Sequence, residues 1–153
     1  MPPYFKIIPI GTIRKERGAP VWIEIDPQYE KGLMGLENFS HITVLYWFDR
    51  NDTPEQRRIL QVHPRKNEAN PLTGVFATHA PVRPNPIALT ICKLLAIEGC
   101  RLHIESIDAL DGSPVLDIKA YIPSREEDKE VRVPEWVRRP CPRSAIGNGF
   151  AEK

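Results

Sequence analysis

The stretch Thr78 to Pro86 (THAPVRPNP) is the part of the chain best suited to present reactive groups. Pro81, Pro84 and Pro86 each fix φ at about −65°. They also push Ala80, Arg83 and Asn85, the residues before them, away from α conformation. The loop is therefore stiff and extended without regular hydrogen bonding, and its remaining backbone polar groups can face a ligand. Arg83 and Asn85 project a guanidinium and an amide from this rigid support, able to fix a substrate or stabilise developing charge. A purely structural corner is the competing reading. Leu110-Asp111-Gly112-Ser113-Pro114 is a second candidate. Asp111 either caps its own turn or offers a carboxylate to ligand amines or hydroxyls. Asp117, a little further on, either belongs to the site or pairs with Arg83 or Lys119.

Other chemistries lack their patterns. There is no GxGxxG, Walker A, HExxH or GxSxG. His41, His63, His79 and His103 are too separated for a metal motif, and no metal is expected. Cys92, Cys100 and Cys141 are odd in number and form no CxxC, which favours reduced thiols in an intracellular, cytoplasmic protein. The net charge of +1 does not mark a strongly basic nucleic-acid binder. Local basic clusters exist nevertheless, at Arg57, Arg58, His63, Arg65 and Lys66 and at Arg138, Arg139 and Arg143. The acidic residues Glu126, Glu127, Asp128 and Glu130 offset them. These clusters read either as phosphate contacts or as solvated loops. No apolar run is long enough to cross a membrane, and MPPYFKIIPIG lacks a signal-peptide layout.

The supporting elements read as β. The 153 residues suit one domain with its own core. Sixteen prolines, about twice the usual share, disfavour long helices. Ile42 to Phe48 (ITVLYWF) is β-branched and aromatic and predicts a central strand, with Trp47 in the core. Phe5–Ile10, Val21–Ile25, Gly74–Ala77, Ile87–Cys92, Leu102–Ile107, Leu116–Ile122 and an arm near Glu130–Val133 predict further strands. A helix over Ile87–Leu95 competes with the strand there. Gly11–Pro20 reads as charged and turn-rich. Tyr29–Leu36 reads as one or two helical turns, and Thr53 as the cap of a short helix with Pro54 at its first position. Six or more short strands with little helix predict an all-β barrel or sandwich rather than βαβ units. One domain is expected over 1–140, with a loose tail from 141.

Three segments carry a family resemblance: GLENFSHITVLYWF (35–48), GVFATHAPVRPNPIALT (74–90) and DALDGSPVLDIKAYIP (108–123). With PIGTI (9–13), they resemble the TsaA-like, or TrmO, family over nearly all of the first 123 residues. The resemblance implies a small single-domain β-barrel and a homodimer. It implies S-adenosylmethionine as cofactor and tRNA as substrate, methylated in the anticodon loop on N6 of threonylcarbamoyladenosine at position 37. Cofactor contacts are implied at Pro20, Val21, Trp22, Asp49, Arg50, His79, Leu89, Asp111, Gly112, Ser113 and Pro114. Here Asp49, His79 and Val21-Trp22 depart from the family's polar pattern. Arg83 and Asn85 match its Arg-Pro-Asn-Pro core, and with Asp117 they form the candidate catalytic set. Arg57, Arg58, Arg65 and Lys66 are the candidate RNA contacts. Trp22 reads as either a stacking surface or core. Another methyl acceptor on the same fold, or a non-catalytic adenosine-binding or structural module, are the competing functions.

Overall fold

The computed structural model describes residues 2–123 and 131–140. The expected tail from 141, Cys141, Arg143 and the acidic residues of 126–130 lie outside them. The strands are β1 (Gly11–Arg14), β2 (Val21–Ile25), β3 (His41–Trp47), β4 (Gln61–Val62), β5 (Thr73–Gly74), β6 (Ile87–Glu98), β7 (Arg101–Ile104) and β8 (Pro114–Ala120). Six of them close into a barrel in the order β1-β2-β7-β6-β3-β8. Every barrel pair is antiparallel. Among the described residues helix is confined to short turns, including α1 (Pro54–Arg57) and α2 (Glu135–Arg138). The expected β-barrel with few short helices is the fold observed. By contacts the chain forms two compact units. One holds the barrel, up to Asp49 and again over Pro86–Tyr121; the other holds Arg50–Asn85 and the residues from Ile122.

In the first unit, alternation builds the core. Ile42, Val44 and Tyr46 of β3 point inward and are buried, with Ile13, Ile23, Ile25, Ala88, Cys92, Leu102, Ile104 and Val115 around them. Successive side chains of a strand face opposite sides. Trp47, expected in the core, therefore shares the outer face with Thr43 and Leu45 and is half-buried. β3 is central as expected, paired with β6 on one side and β8 on the other. The strand reading of Ile87–Cys92 holds against the helix, and β6 runs on to Glu98. Its outer row, Ile87, Leu89, Ile91 and Leu95, is exposed.

Two expectations about the beginning of the chain are corrected. Phe5–Ile10 is not a strand: Tyr4 and Phe5 are more than 80% exposed, and pairing begins only where the Ile10 amide donates to Val115 O at 2.8 Å. Without a partner strand, apolar composition alone does not make a ladder. Gly11–Arg14, read as turn-rich, is instead β1. Its glycine is needed, because a Cβ at position 11 would run into the backbone carbonyl of Glu24.

β8 carries a register shift. Leu45 pairs with Asp117 but Tyr46 pairs with Val115, so Leu116 is an extra residue. A bulge of this kind changes which face the following side chains take. It aligns Asp117 and Lys119 with Leu45 and Thr43 on the outside.

In the second unit, Thr53 caps α1 as expected, its Oγ1 accepting from the Gln56 amide at 3.2 Å, with Pro54 at the first helical position. Gly74–Ala77 is only partly a strand: β5 ends at Gly74, and Val75–Ala77 forms a 3-10 turn. Residues 131–133 form no strand; α2 follows them as a single turn. The backbone is left-handed at two consecutive non-glycine residues, Arg65 (φ 59°) and Lys66 (φ 50°).

Candidate functional site

The antiparallel register decides which nominated residues of the barrel share an end. Arg14 pairs with Trp22, Trp47 with Ile87, and Thr12 with Pro114. The start of β2, the ends of β1 and β3, and the starts of β6 and β8 therefore meet at one rim. Pro20, Val21, Trp22, Asp49 and Asp111–Pro114 all belong to that rim. Asp117 lies one step in from it, level with Leu89, because both pair with Leu45, two residues before the end of β3. There it pairs with Lys119 at 3.0 Å and accepts from the Ile118 amide at 2.9 Å. It also lines a separate apolar cleft of about 450 Å³ with Tyr29, Met34 and Phe39.

The turn at the rim is tied from several sides. The Asp111 carboxylate accepts from the Lys15 backbone amide at 2.8 Å. The Gly112 amide donates to Ile13 O at 2.8 Å, and the Ile13 amide to Ser113 O at 2.9 Å. Gly112 takes φ 81°, a region open to glycine. The Lys15 ammonium donates to the carbonyls of Ile107 and Ala109 at 2.7 and 2.9 Å. Ser113 is 1% exposed, and its Oγ has no hydrogen-bond partner among the described residues. Trp22 resolves as surface: its indole N–H donates to Glu24 Oε2 at 2.8 Å, and the Arg101 guanidinium lies 5.3 Å from its ring centroid.

Sequence reasoning missed Lys15 and a carboxylate beneath the turn. Asp108 Oδ1 accepts from Tyr46 Oη at 2.9 Å and from Thr90 Oγ1 at 2.8 Å. Burial, followed by the negative charge of Asp108, pushes the Tyr46 phenol well above its usual range and keeps it a donor. Cys92 is raised to about 11, again mainly by burial and then by Asp108. The available signal was the appearance of polar Tyr46 and Thr90 at inward positions of two apolar strands.

The second unit carries the proline loop. Arg83 turns back on it, one guanidinium nitrogen donating to Thr78 O at 3.2 Å and Ala80 O at 3.1 Å. Thr78 Oγ1 donates to Val75 O and accepts from the Ala80 amide. Arg57 pairs with Asp52 at 2.6 Å and donates to Pro84 O at 3.2 Å. Arg57 therefore braces this loop, rather than standing clear for phosphate. Arg65 is also engaged, donating to the carbonyls of Arg139 and Val137 and lying 5.9 Å from the Trp136 ring centroid. Asn85, His79, Arg58 and Lys66 are exposed. Arg50 is exposed in the 3-10 turn Asp49–Asn51.

The rim fits an adenosine-type cofactor by its chemistry. It offers a carboxylate in Asp111 and an orphaned buried hydroxyl in Ser113, with the exposed apolar side chain of Leu89 one step in from it. Among the described residues, no group of three or more His, Cys, Asp or Glu side chains is placed to hold a metal, and no helix is long and apolar enough to cross a membrane.

Comparison with known proteins agrees with this architecture. Residues 7–127 match the model of the tRNA-methyltransferase O N-terminal domain. A probable S-adenosyl-L-methionine-binding protein of Pyrococcus horikoshii is 53% identical over 117 residues, 76% of this chain and 82% of that one. The tRNA (adenine(37)-N6)-methyltransferase of Mus musculus is 43% identical over 104 residues, 68% of this chain but 23% of its own length. The crystal structure of TrmO from P. aeruginosa superposes with a TM-score of 0.68 at 30% identity, covering 89% of this chain. The chain spans 63% of that solved protein's length. With the family model covering most of its length and the barrel shared with a solved relative, the chain belongs to the tRNA-methyltransferase O family.

Proposed function

We propose that this protein is an S-adenosylmethionine-dependent tRNA methyltransferase acting on adenine N6. We further propose that its substrate is threonylcarbamoyladenosine at position 37 of the anticodon loop. The observation that carries the reading is the single rim that collects Trp22, Asp49 and Asp111–Pro114, with Leu89 one step in from it, in a chain of this family. When bound, the cofactor supplies an already activated sulfonium methyl, so that the N6–CH3 bond forms as the S–CH3 bond breaks and N6 loses its proton. The chain's own task is alignment. The Asp111 carboxylate accepts from the nucleoside, the Ser113 hydroxyl is the donor of the turn without a partner among the described residues, and Leu89 provides an apolar surface. Arg83 and Asn85 act from the proline loop, Arg83 by fixing the loop's shape. Arg50 and His79 are proposed as further cofactor contacts, and Arg58 and Lys66 as phosphate contacts that weaken as salt rises. The enzyme works in the cytoplasm as a homodimer, with the exposed row Ile87, Leu89, Ile91 and Leu95 as the apolar surface for the second copy.

The test is methyl transfer from labelled S-adenosylmethionine to tRNA with and without the threonylcarbamoyl group. Transfer to the modified tRNA alone supports the full reading. Transfer to both leaves a methyltransferase of broader acceptor range. Cofactor binding without transfer favours a second reading, a binding protein. The departures at Asp49, His79 and Trp22 point that way, as does the name of the Pyrococcus relative.

A further inference from the structure

Beside the buried Tyr46 the barrel holds a half-buried polar cluster that none of the assignments above uses. Tyr46 on β3 and Thr90 on β6 sit on adjacent strands and both donate to the same oxygen of Asp108, at 2.9 and 2.8 Å. Tyr46 is 1% exposed. The flanking residues Ile107 and Ala109 are 6% and 0% exposed, and their carbonyls are bound by the Lys15 ammonium. The segment is thus gripped at three consecutive residues, by its side chain at 108 and by its backbone at 107 and 109. Three residues later comes Asp111.

Space filling does not account for this arrangement. A half-buried carboxylate gives up part of its hydration, and an aliphatic side chain would fill the same space without that cost. What two convergent hydroxyls add is a defined position, because the acceptor must lie within hydrogen-bond reach of both strands at once. We infer that Asp108 is a positioning residue for the Asp111–Pro114 turn, locking it to β3 and β6 so that it meets the cofactor in one geometry. This rests on the reading of that turn as a cofactor contact. Asp108 acts through the turn and is not itself placed against the reacting atoms.

The experiment is calorimetric titration of the full chain with S-adenosylhomocysteine, paired with thermal melting, on five variants. Asp111→Ala tests the site itself. Asp108→Leu keeps bulk and removes the acceptor, Asp108→Asn keeps an acceptor oxygen, and Tyr46→Phe and Thr90→Val each remove one donor. The expected results are a loss of about 10-fold or more in affinity for Asp108→Leu, equivalent to about 1.4 kcal/mol. Recovery to within about 3-fold is expected for Asp108→Asn, with losses of about 2- to 5-fold for each hydroxyl deletion. If Asp111→Ala weakens binding while Tyr46→Phe and Thr90→Val bind like the unaltered protein and only melt earlier, the anchor serves stability alone and the inference is overturned. Those two variants decide the matter even if Asp108→Leu fails to fold. If Asp111→Ala binds normally, the turn is not the cofactor contact, and the inference falls together with that reading.

Discussion

Two loops carry most of the candidate chemistry, and they are held in opposite ways. The 78–86 loop is stiffened by its own covalent structure, three prolines in nine residues, and by hydrogen bonds that Arg83 makes to carbonyls three and five positions back. The 105–114 loop has one proline and borrows its order from elsewhere. Its partners are Lys15, Tyr46 and Thr90, which are 92, 62 and 18 residues away from the atoms they bind. Local stiffness survives changes in the rest of the fold. Borrowed stiffness couples the loop to the barrel, so damage to either should be felt by both.

The largest effect that would break this contrast is expected at Lys15. Lys15→Met leaves the carbonyls of Ile107 and Ala109 without their donor, and should cost about 2–3 kcal/mol of global stability by denaturant titration. A loss confined to the turn, with an unchanged unfolding midpoint, would show the loop to be independent of the barrel. Alkaline pH should act on the same region. The Cys92 thiol lies above its unfolded value, so the neutral folded form is favoured. Its contribution is complete below about pH 9, the unfolded pKa, and is lost as pH rises through about 11. The loss should be on the order of 2 kcal/mol, and Cys92→Ala should flatten the profile. Tyr46 shifts in the same direction and extends the decline to higher pH.

Effects in the proline loop should be smaller in stability and more visible in activity. Arg83→Ala should lower kcat/KM about 10-fold or more, about 1.4 kcal/mol in the barrier, with little change in melting. Arg83→Lys should restore part of it by keeping one donor. Unchanged activity in Arg83→Ala would remove the residue from the site. Pro81→Ala should be the mildest, about 0.5 kcal/mol through a freer unfolded chain. A drop in stability as large as that of Lys15→Met would erase the distinction between the loops.

The same contrast explains what the sequence could reveal. The proline loop is legible because φ restriction is a property of the residues themselves. β3 and β6 are legible because β-branched and aromatic runs with period two leave few alternatives. Thr53 announces α1 through side-chain chemistry three residues deep. β1 was hidden because only Ile13 of its four residues is buried, and its charged surroundings resemble a turn. Asp108 was hidden for a different reason. Neither Tyr46 nor Thr90 signals a partner locally, and only barrel closure brings them to one oxygen. Trp47 was misplaced because an apolar run does not say which half of it faces outward.

The extra residue in β8 has a consequence for the chain's tolerance of insertions and deletions. Losing Leu116 would close the bulge and leave every downstream pairing and face as it is, because Asp117 would follow Val115 directly and still sit opposite Leu45. Keeping Leu116 but seating it opposite Leu45 would instead bring Asp117 and Lys119 into the barrel beside Val44 and Ile42, and turn Ile118 and Ala120 out of it. A three-nucleotide loss at that codon would therefore spare the core, whereas a one-residue slip that drew Leu116 into the ladder would bury an ion pair there.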